Sequence, residues 1–574
     1  MSEFLIENGL DGKEGKMRGF ATAIVLTFLA ARIGICVEEK NRPAMVVVTD
    51  YPDIYTAVEA ARTLGIGRIY IPAGVYNLDR TLDLTGLSWS PIRPETSGEE
   101  VIPRFNPIIV EGAGSRTMLI ARTGDTPAID LTGSQPGMVL RDFVLQTPWD
   151  EKNGWQPGSK VGIFMSRMSQ EGGKPGDPPT GNAASSGSHI FHNVTVRGNY
   201  PTAAVFSWNS ESNSFYHCHF SNSGGDGFVF TGHNPMNREG VRSPYRRPGI
   251  SSNVHAVFYY CGFSSGGKDS AGLRVSQAGD VYIIGGYFSS GGEAFASIYL
   301  DGTSRVQNFI IRDVRMETSA GYNLYAVGAV SDVLIEGGEW VCMNAENIRQ
   351  EHKIPAAEGP HKYVSNPEGA GYAYNWIVRE LRLSRSFEDD PNLGLDKSKT
   401  PARGNVTMKF DGLQDSHIDN IAYYVRRQVP GEQAWTGSVV TDTPLIVVEK
   451  YSRRNTFEVP SRAAVELHGD ARSNSIIALA DGLDEAVPAL WMSGRSEKVS
   501  LQKYYDAGIR RTYVNPDSSG SLLNLGLQNV FDIKNPETGD IALHDGSGFK
   551  DNSPRLAVYN GKKWIFFTQQ AEIQ

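Results

Sequence analysis

Cysteine is scarce. The 574 residues contain four, Cys36, Cys218, Cys261 and Cys342. None falls in a CxxC or Cys/His zinc spacing, so no metal site is implied. Four distant cysteines cannot staple a chain this long, and free buried thiols are expected. A basic surplus is also missing. Lys and Arg number 55 against 64 Asp and Glu, for a net charge of −9 and a pI near 5.8. A protein that grips nucleic acid by its phosphates carries the opposite balance, so a nucleic-acid partner is not expected. Long helical heptads are rare. No serine-histidine-acid arrangement, P-loop or dinucleotide fingerprint is evident.

Uninterrupted apolar runs are short as well. The nearest approach is "RGFATAIVLTFLAARIGIC" at residues 18–36, after Lys16. Arg32 breaks it, and the remaining run is too short to span a bilayer. A mostly polar stretch precedes it, and Ile35 before Cys36 does not suit a small-residue cleavage site. Two readings stay open: a targeting segment, or a helix buried against partner chains in an assembly.

What is abundant is glycine, 62 residues, with many aromatic and β-branched residues. That mixture predicts a β-rich chain with many turns. Its length calls for several domains or one long solenoid. From Val46 the chain reads "VVVTDYPDIYTAVEAARTLGIGRIYIPAGVYNLDRTLDLTG". Ile54, Ala57, Val58, Ala61 and Leu64 share one face of a helix over 53–64. A strand follows over 68–71, ending at Pro72 and turning at Gly74.

The stretch resembles the opening of the pectate-lyase-like right-handed β-helix superfamily. There a helix caps the solenoid and an "I-P-x-G-x-Y" turn begins the first coil. Ile71, Pro72, Gly74 and Tyr76 match. "IIVEGAGSRTMLI" at 108–120 resembles the family's next step, "I-x-G-x-G-x-x-T". The usual "GDG-x-x-D-D" lead-in is absent; only Asp50 and Asp53 stand near it.

Internal repetition carries the fold further. "FSSGGKD" at 263–269 returns as "FSSGGEA" at 288–294. Nine segments align on the same frame: MVLRDFVL, HIFHNVTV, NSFYHCHF, AVFYYCGF, VYIIGGYF, FIIRDVRM, VLIEGGEW, WIVRELRL and SHIDNIAY. Their third and eighth residues are apolar. Their fifth is Asp142, Asn193, His217, Tyr260, Gly285, Asp313, Gly337, Glu380 or Asn420, a turn-prone set. Two short strands meeting at a left-handed bend explain this pattern. Stacked coils then place Phe220, Phe263 and Phe288 in one interior ladder, with Cys218 and Cys261 on neighbouring coils. A minimal coil takes about 24 residues, within the range of solenoid repeats. Longer steps carry inserts at 146–188, 231–252, 344–371 and 384–404. These hold Trp149, Trp155, Arg242, Tyr245, Arg246, Arg247, His361 and Tyr363. Loops on a rigid stack are where binding surfaces are usually built. Aromatics stack on sugar faces, and arginines pair with carboxylates or sulfates; packing on the solenoid is the alternative.

A third strand per coil follows in "GFVF", "GLRV", "SIYL" and "NLYAV". Alternation predicts Arg274, Tyr299 and Tyr325 outside, as a vertical strip one strand spacing apart, with Leu273, Val275, Ile298 and Leu300 inside. Asp226, Asp269, Glu293 and Glu317 precede that strand, and Asp280, Asp301 and Asp332 follow it. Carboxylates on adjacent coils reach the separations that glycoside hydrolysis requires, so Asp269, Glu293 and Asp301 are the candidate catalytic acids. Arg274, Tyr299, Tyr325, Arg246 and Trp155 are the candidate substrate contacts. The competing chemistry is β-elimination on a uronic acid, with Arg274 or Arg312 serving and clustered acids holding Ca²⁺; hydrolysis needs no cofactor. For any single acid, a solvated turn is the commoner role.

The coil pattern fades after Leu479. "GDIALHDGSGFKDNSPRLAVYNGKKWIFF" at 539–567 predicts hairpins. It resembles a small module at the ends of phage tail-fibre and other virion surface proteins, "GD-I-A-x-x-D-G … A-V-Y-N-G-x-x-W".

The expectation is an all-β chain: a right-handed parallel β-helix over 46–485, a helical attachment segment over 1–45 and a β-rich tip over 486–574. Together these resemble a phage tailspike. That resemblance implies a homotrimer, held to other virion proteins through the N-terminal segment, that binds and depolymerises a bacterial surface polysaccharide. A virion fibre or decoration protein that binds without cleaving, and a secreted extracellular polysaccharide lyase, are the alternatives.

Overall fold

The structure is a computed structural model. It describes residues 45–64, 66–84, 108–132, 137–166, 187–231 apart from 209 and 211, 255–318 apart from 277, 321–342, 345–354, 370–387, 406–427 and 446–460 apart from 450, then short strands between 465 and 566. The segment 18–36, Arg242, Tyr245, Arg246, Arg247, His361 and Tyr363 lie outside these residues. The chain divides into two units, Met1–Met45 and Val46–Gln574. Among the described residues no helix is long and apolar enough to cross a membrane.

After a short strand, Met45–Val47, and a 3-10 turn, Val48–Asp50, the chain forms the expected helix, Ile54–Leu64. Asp53 caps it by accepting from the Thr56 amide at 2.7 Å, which satisfies one of the free amides of the first turn. Ile54, Ala57, Val58 and Ala61 are buried as predicted, but Leu64 is 64% exposed. Strand Arg68–Tyr70 follows and ends before Pro72.

From there the strands wind into stacked coils with parallel pairing throughout. Each coil contributes to three sheets. The first sheet holds Asn213–Tyr216, Ala256–Tyr259 and Gly279–Ile284. The second holds His219–Asn222, Gly262–Ser265 and Tyr287–Ser290. The third holds Ala203–Trp208, Asp226–Thr231 and Ala271–Ser276.

The corners explain the repeat. All nine fifth-position residues, Asp142 through Asn420, have φ between 45° and 69°, the left-handed region that turns the first sheet into the second. A second left-handed column leads from the third sheet back to the first: Ser188, Ser212, Asp280, Asn308, Asp332, Asn375, Asp415 and Arg454. Asp280 and Asp332 therefore make the corner that follows the third strand. Side chains tie this corner from coil to coil. Asn375 Nδ2 donates to Asp332 at 2.6 Å, and Arg454 donates to both Asp415 oxygens at 2.6 Å.

Inside, like residues stack. Phe191, Phe215 and Phe258 are parallel at 4.8 and 4.6 Å, and Phe263 lies 4.5 Å from Phe288 and 5.5 Å from Phe220. Cys218 and Cys261 are free, buried neighbours. Burial and the adjacent Cys218 push the Cys261 thiol up. Parallel pairing continues past the fading repeat to Leu523–Asn524. The tip strands Ile541–His544, Arg555–Tyr559 and Trp564–Phe566 then form antiparallel hairpins.

Candidate functional site

The third sheet corrects the expected strip. Alternation holds, because Leu273 and Val275 join the main core while Tyr299 and Tyr325 belong to a separate cluster on the other side of the strand. Exposure does not. Arg274, Tyr299 and Tyr325 are 1%, 1% and 2% exposed. Arg274 donates to both oxygens of Asp226, at 3.0 and 3.1 Å, and to the Asp269 carbonyl at 2.9 Å. Asp226 is itself a buried strand residue, not a turn acid. The guanidinium lies 4.6 Å over the Tyr299 ring, which stacks on Tyr325 at 5.4 Å. Phe295, Tyr322 and Ile354 pack on the same cluster. Asp301 is also corrected. It sits within strand Ala296–Arg312, 1% exposed, and accepts from Ser276 Oγ at 2.7 Å and from the Thr303 amide and hydroxyl at 3.0 and 2.6 Å. Burial pushes its carboxyl up, against those donors. This face is a second packed layer.

The outer face of the second sheet is different. Strand Tyr287–Ser290 alternates exposed and buried. Register aligns Arg197, Ser221, Ser264 and Ser289 in one outward column, and Thr195, His219, Gly262 and Tyr287 in the next. Ser264 Oγ donates to Ser221 Oγ at 2.7 Å, giving a hydroxyl-lined floor. Tyr260 and Tyr287, 64% and 43% exposed, rise beside it.

Their placement depends on two glycines that exchange places with them. A Cβ on Gly262 would stand 2.7 Å from the Tyr287 ring, and one on Gly285 would stand 2.7 Å from the Tyr260 ring. Each tyrosine thus leans over the glycine of the neighbouring coil. Tyr287 Oη pairs with His219 Nε2 at 3.0 Å. Burial, with Arg197 nearby, lowers the His219 pKa and favours the neutral imidazole. Tyr260 stacks on His217 at 5.7 Å with its plane tilted by 7°. Its φ of 51° is costly for a bulky residue, on the order of 1 kcal/mol or more.

The FSSGG stretches form one edge of this face. Phe263 and Phe288 enter the core, and Ser264 and Ser289 face outward. The glycine pairs make the turn toward the third sheet. A Cβ on Gly267 would meet the Gly224 backbone at 2.5 Å, so the turns stack without side chains between them. Asp269 and Glu293 follow. The Asp269 amide donates to the Glu293 carbonyl at 3.2 Å, which places the two on neighbouring coils. Glu293 is exposed and Asp269 half-buried. Trp155 lies at the N-terminal end of the same edge, with Arg197 5.5 Å over its ring. The structure therefore places Asp269 and Glu293 on neighbouring coils of one edge, with Trp155 farther along it, while the side chains of Arg274, Tyr299, Tyr325 and Asp301 are buried in the adjoining packed layer, where Arg274 reaches the Asp269 carbonyl. The sequence reading missed Tyr260 and Tyr287. Their signal was the pairing of "YCG" at 260–262 with "GGY" at 285–287.

Among the described residues no group of three or more His, Cys, Asp and Glu side chains is arranged to hold a metal ion.

No protein-family model and no curated protein matches the chain. Solved structures match in architecture. A surface adhesin of Streptococcus pneumoniae, PfbA, is 11% identical, covering 92% of this chain and 99% of its own at a TM-score of 0.39. Tailspike protein 3 of bacteriophage CBA120 is 12% identical, over 91% and 68%, at 0.36. The A-module of the Azotobacter vinelandii mannuronan C-5 epimerase AlgE4 is 14% identical, over 68% and 98%, at 0.38. Three sheets in parallel register, left-handed corners and a capping helix make the fold of this chain a parallel β-helix.

Proposed function

We propose that the chain is a tailspike-type protein that binds a bacterial surface polysaccharide on the outer face of its second sheet and depolymerises it there. The observation that carries this reading is the exposed Tyr260–Tyr287 pair beside the Ser221–Ser264–Ser289 floor, with two carboxylates at its edge. Phenol rings offer apolar faces to sugar C–H groups, while hydroxyls and carboxylates meet sugar hydroxyls. Asp269 and Glu293, one coil apart, are the acid pair. One protonates the departing glycosidic oxygen, and the other activates water or attacks the anomeric carbon. Elimination is less well supported: Arg274 is buried against Asp226, and Arg312 donates to Glu336 at 2.6 Å. Residues 1–45 are assigned to attachment on other virion proteins, and the working form is a homotrimer.

The test is incubation with a panel of purified surface glycans. The expected result is retention of one glycan and release of reducing ends without the ultraviolet absorbance of an unsaturated uronide. Glu293→Gln is expected to keep retention and lose at least about 100-fold in rate. Full activity in both Glu293→Gln and Asp269→Asn sinks the acid assignment. Retention without release favours a binding-only fibre, and retention of nothing overturns the reading.

A further inference from the structure

The insert that begins at Gln146 carries a short hairpin, Trp149–Asp150 paired with Gly154–Trp155. Its turn is built. Asp150 Oδ1 accepts from the Lys152 and Asn153 amides at 3.0 and 2.8 Å, and Gly154 supplies φ +71°. Gln156 Nε2 donates to the Asn153 and Gly154 carbonyls at 3.1 and 3.2 Å.

Trp155 is held from beneath. Asn199 Nδ2 donates to its carbonyl at 3.3 Å, and Arg197 covers its ring. Arg197 is fixed in turn by two bonds to Gln146 Oε1, at 3.0 and 2.8 Å. Trp149 packs edge-on against Trp155 at 4.8 Å, yet stays 56% exposed. A core role does not explain that indole. A hairpin braced by seven hydrogen bonds and a guanidinium presents it to solvent.

Its position along the stack is informative. Asn199 Oδ1 lies where a Cβ on Gly224 would sit, and Gly224 lies against Gly267, whose partner Gly266 lies against Gly292. The hairpin therefore caps the line of stacked glycine turns that ends at Glu293. Arg197, Ser221, Ser264 and Ser289 are successive in register, so the coil beneath the hairpin stands two steps from the coil of Asp269 and three from that of Glu293, about 10 and about 14 Å at about 4.8 Å per step.

We infer that Trp149, braced by Trp155 and Arg197, is a distal sugar-stacking subsite, and that the ligand is a glycan chain lying along the stack axis and long enough to reach from Trp149 to Glu293. The line between them is edged by Asp269 and Glu293, and Arg197 is engaged by Gln146 and Trp155. A hydroxyl-rich segment fits that line better than a polyanionic one. The inference rests on the polysaccharide reading above.

The experiment uses the full chain and fragments, graded by length, of the glycan retained in the panel. Binding is followed by protection of tryptophan fluorescence from acrylamide and by calorimetry, with circular dichroism as the folding control. Long fragments are expected to bind Trp149→Ala about three- to tenfold more weakly than wild type, and short fragments equally well. Trp149→Phe is expected to restore most of the difference. Equal weakening for every length, or no weakening at any, overturns the distal subsite. A wild-type chain that retains no fragment overturns the polysaccharide reading itself, so the two failures are distinguishable.

Discussion

Arg274 shows how a single side chain changes the reading of a face. Its alternation with Leu273 and Val275 was legible, because strand period is simple. Its burial was not, because an outward position says nothing about what lies over it. The signal lay along the column. On the preceding coils the same register is held by Phe164, Phe206 and Val229, all buried in a cluster of their own. Three buried apolar residues just before Arg274 in the column mark a covered face, and a charge placed there needs a partner. Asp226 supplies it, 0% exposed. Removing one member leaves the other charged and dry, whereas the intact pair adds little net stability. Asp226→Ala is therefore expected to lower unfolding stability by ~3–5 kcal/mol in urea titration. A loss under about 1 kcal/mol would mean that water reaches Arg274.

At the scale of the element, the repeat read well because its corner has a steric requirement. Gly, Asn and Asp recur at the fifth position since left-handed backbone suits them. That is why nine segments could be aligned and nine corners were found. The second corner was read only at Asp280 and Asp332. Its residues include Ser188, Ser212 and Arg454, which carry no such preference, and inserts shift its spacing. The two glycines of FSSGG also looked alike in sequence but differ in place. A Cβ on Gly266 meets nothing closer than 3.8 Å, whereas one on Gly267 meets the Gly224 backbone at 2.5 Å. Gly266→Ala is expected to change stability by no more than about 0.5 kcal/mol, and Gly267→Ala to cost about 1–3 kcal/mol. Thermal unfolding of the two variants separates them, and equal transition temperatures would show that the turns are not packed against each other.

At the scale of the whole molecule, the three faces of the stack differ in what they still need. The third sheet is covered within the chain, and the second is polar and open. The first presents an outward column of Ile109, Val139, Ile190, Ser214, Val257, Tyr282, Ile310, Leu334 and Ile377. At about 4.8 Å per coil this strip runs roughly 40 Å, interrupted by Ser214 and the buried Val257, and the apolar side chains on either side of that break suit a protein partner. Charged groups border it, with Glu336 held between Arg312 and Arg379. Burial by two further copies, each offering the same strip, is the arrangement a homotrimer requires, and it would leave the second sheet free for a glycan. Light scattering of the full chain is then expected to give three times 62.8 kDa. Ile310→Glu combined with Leu334→Lys should reduce that to the mass of one chain with an unchanged circular dichroism spectrum. A trimer that survives both charges would place the interface elsewhere. A wild-type monomer would remove the homotrimer and leave the apolar strip to another partner.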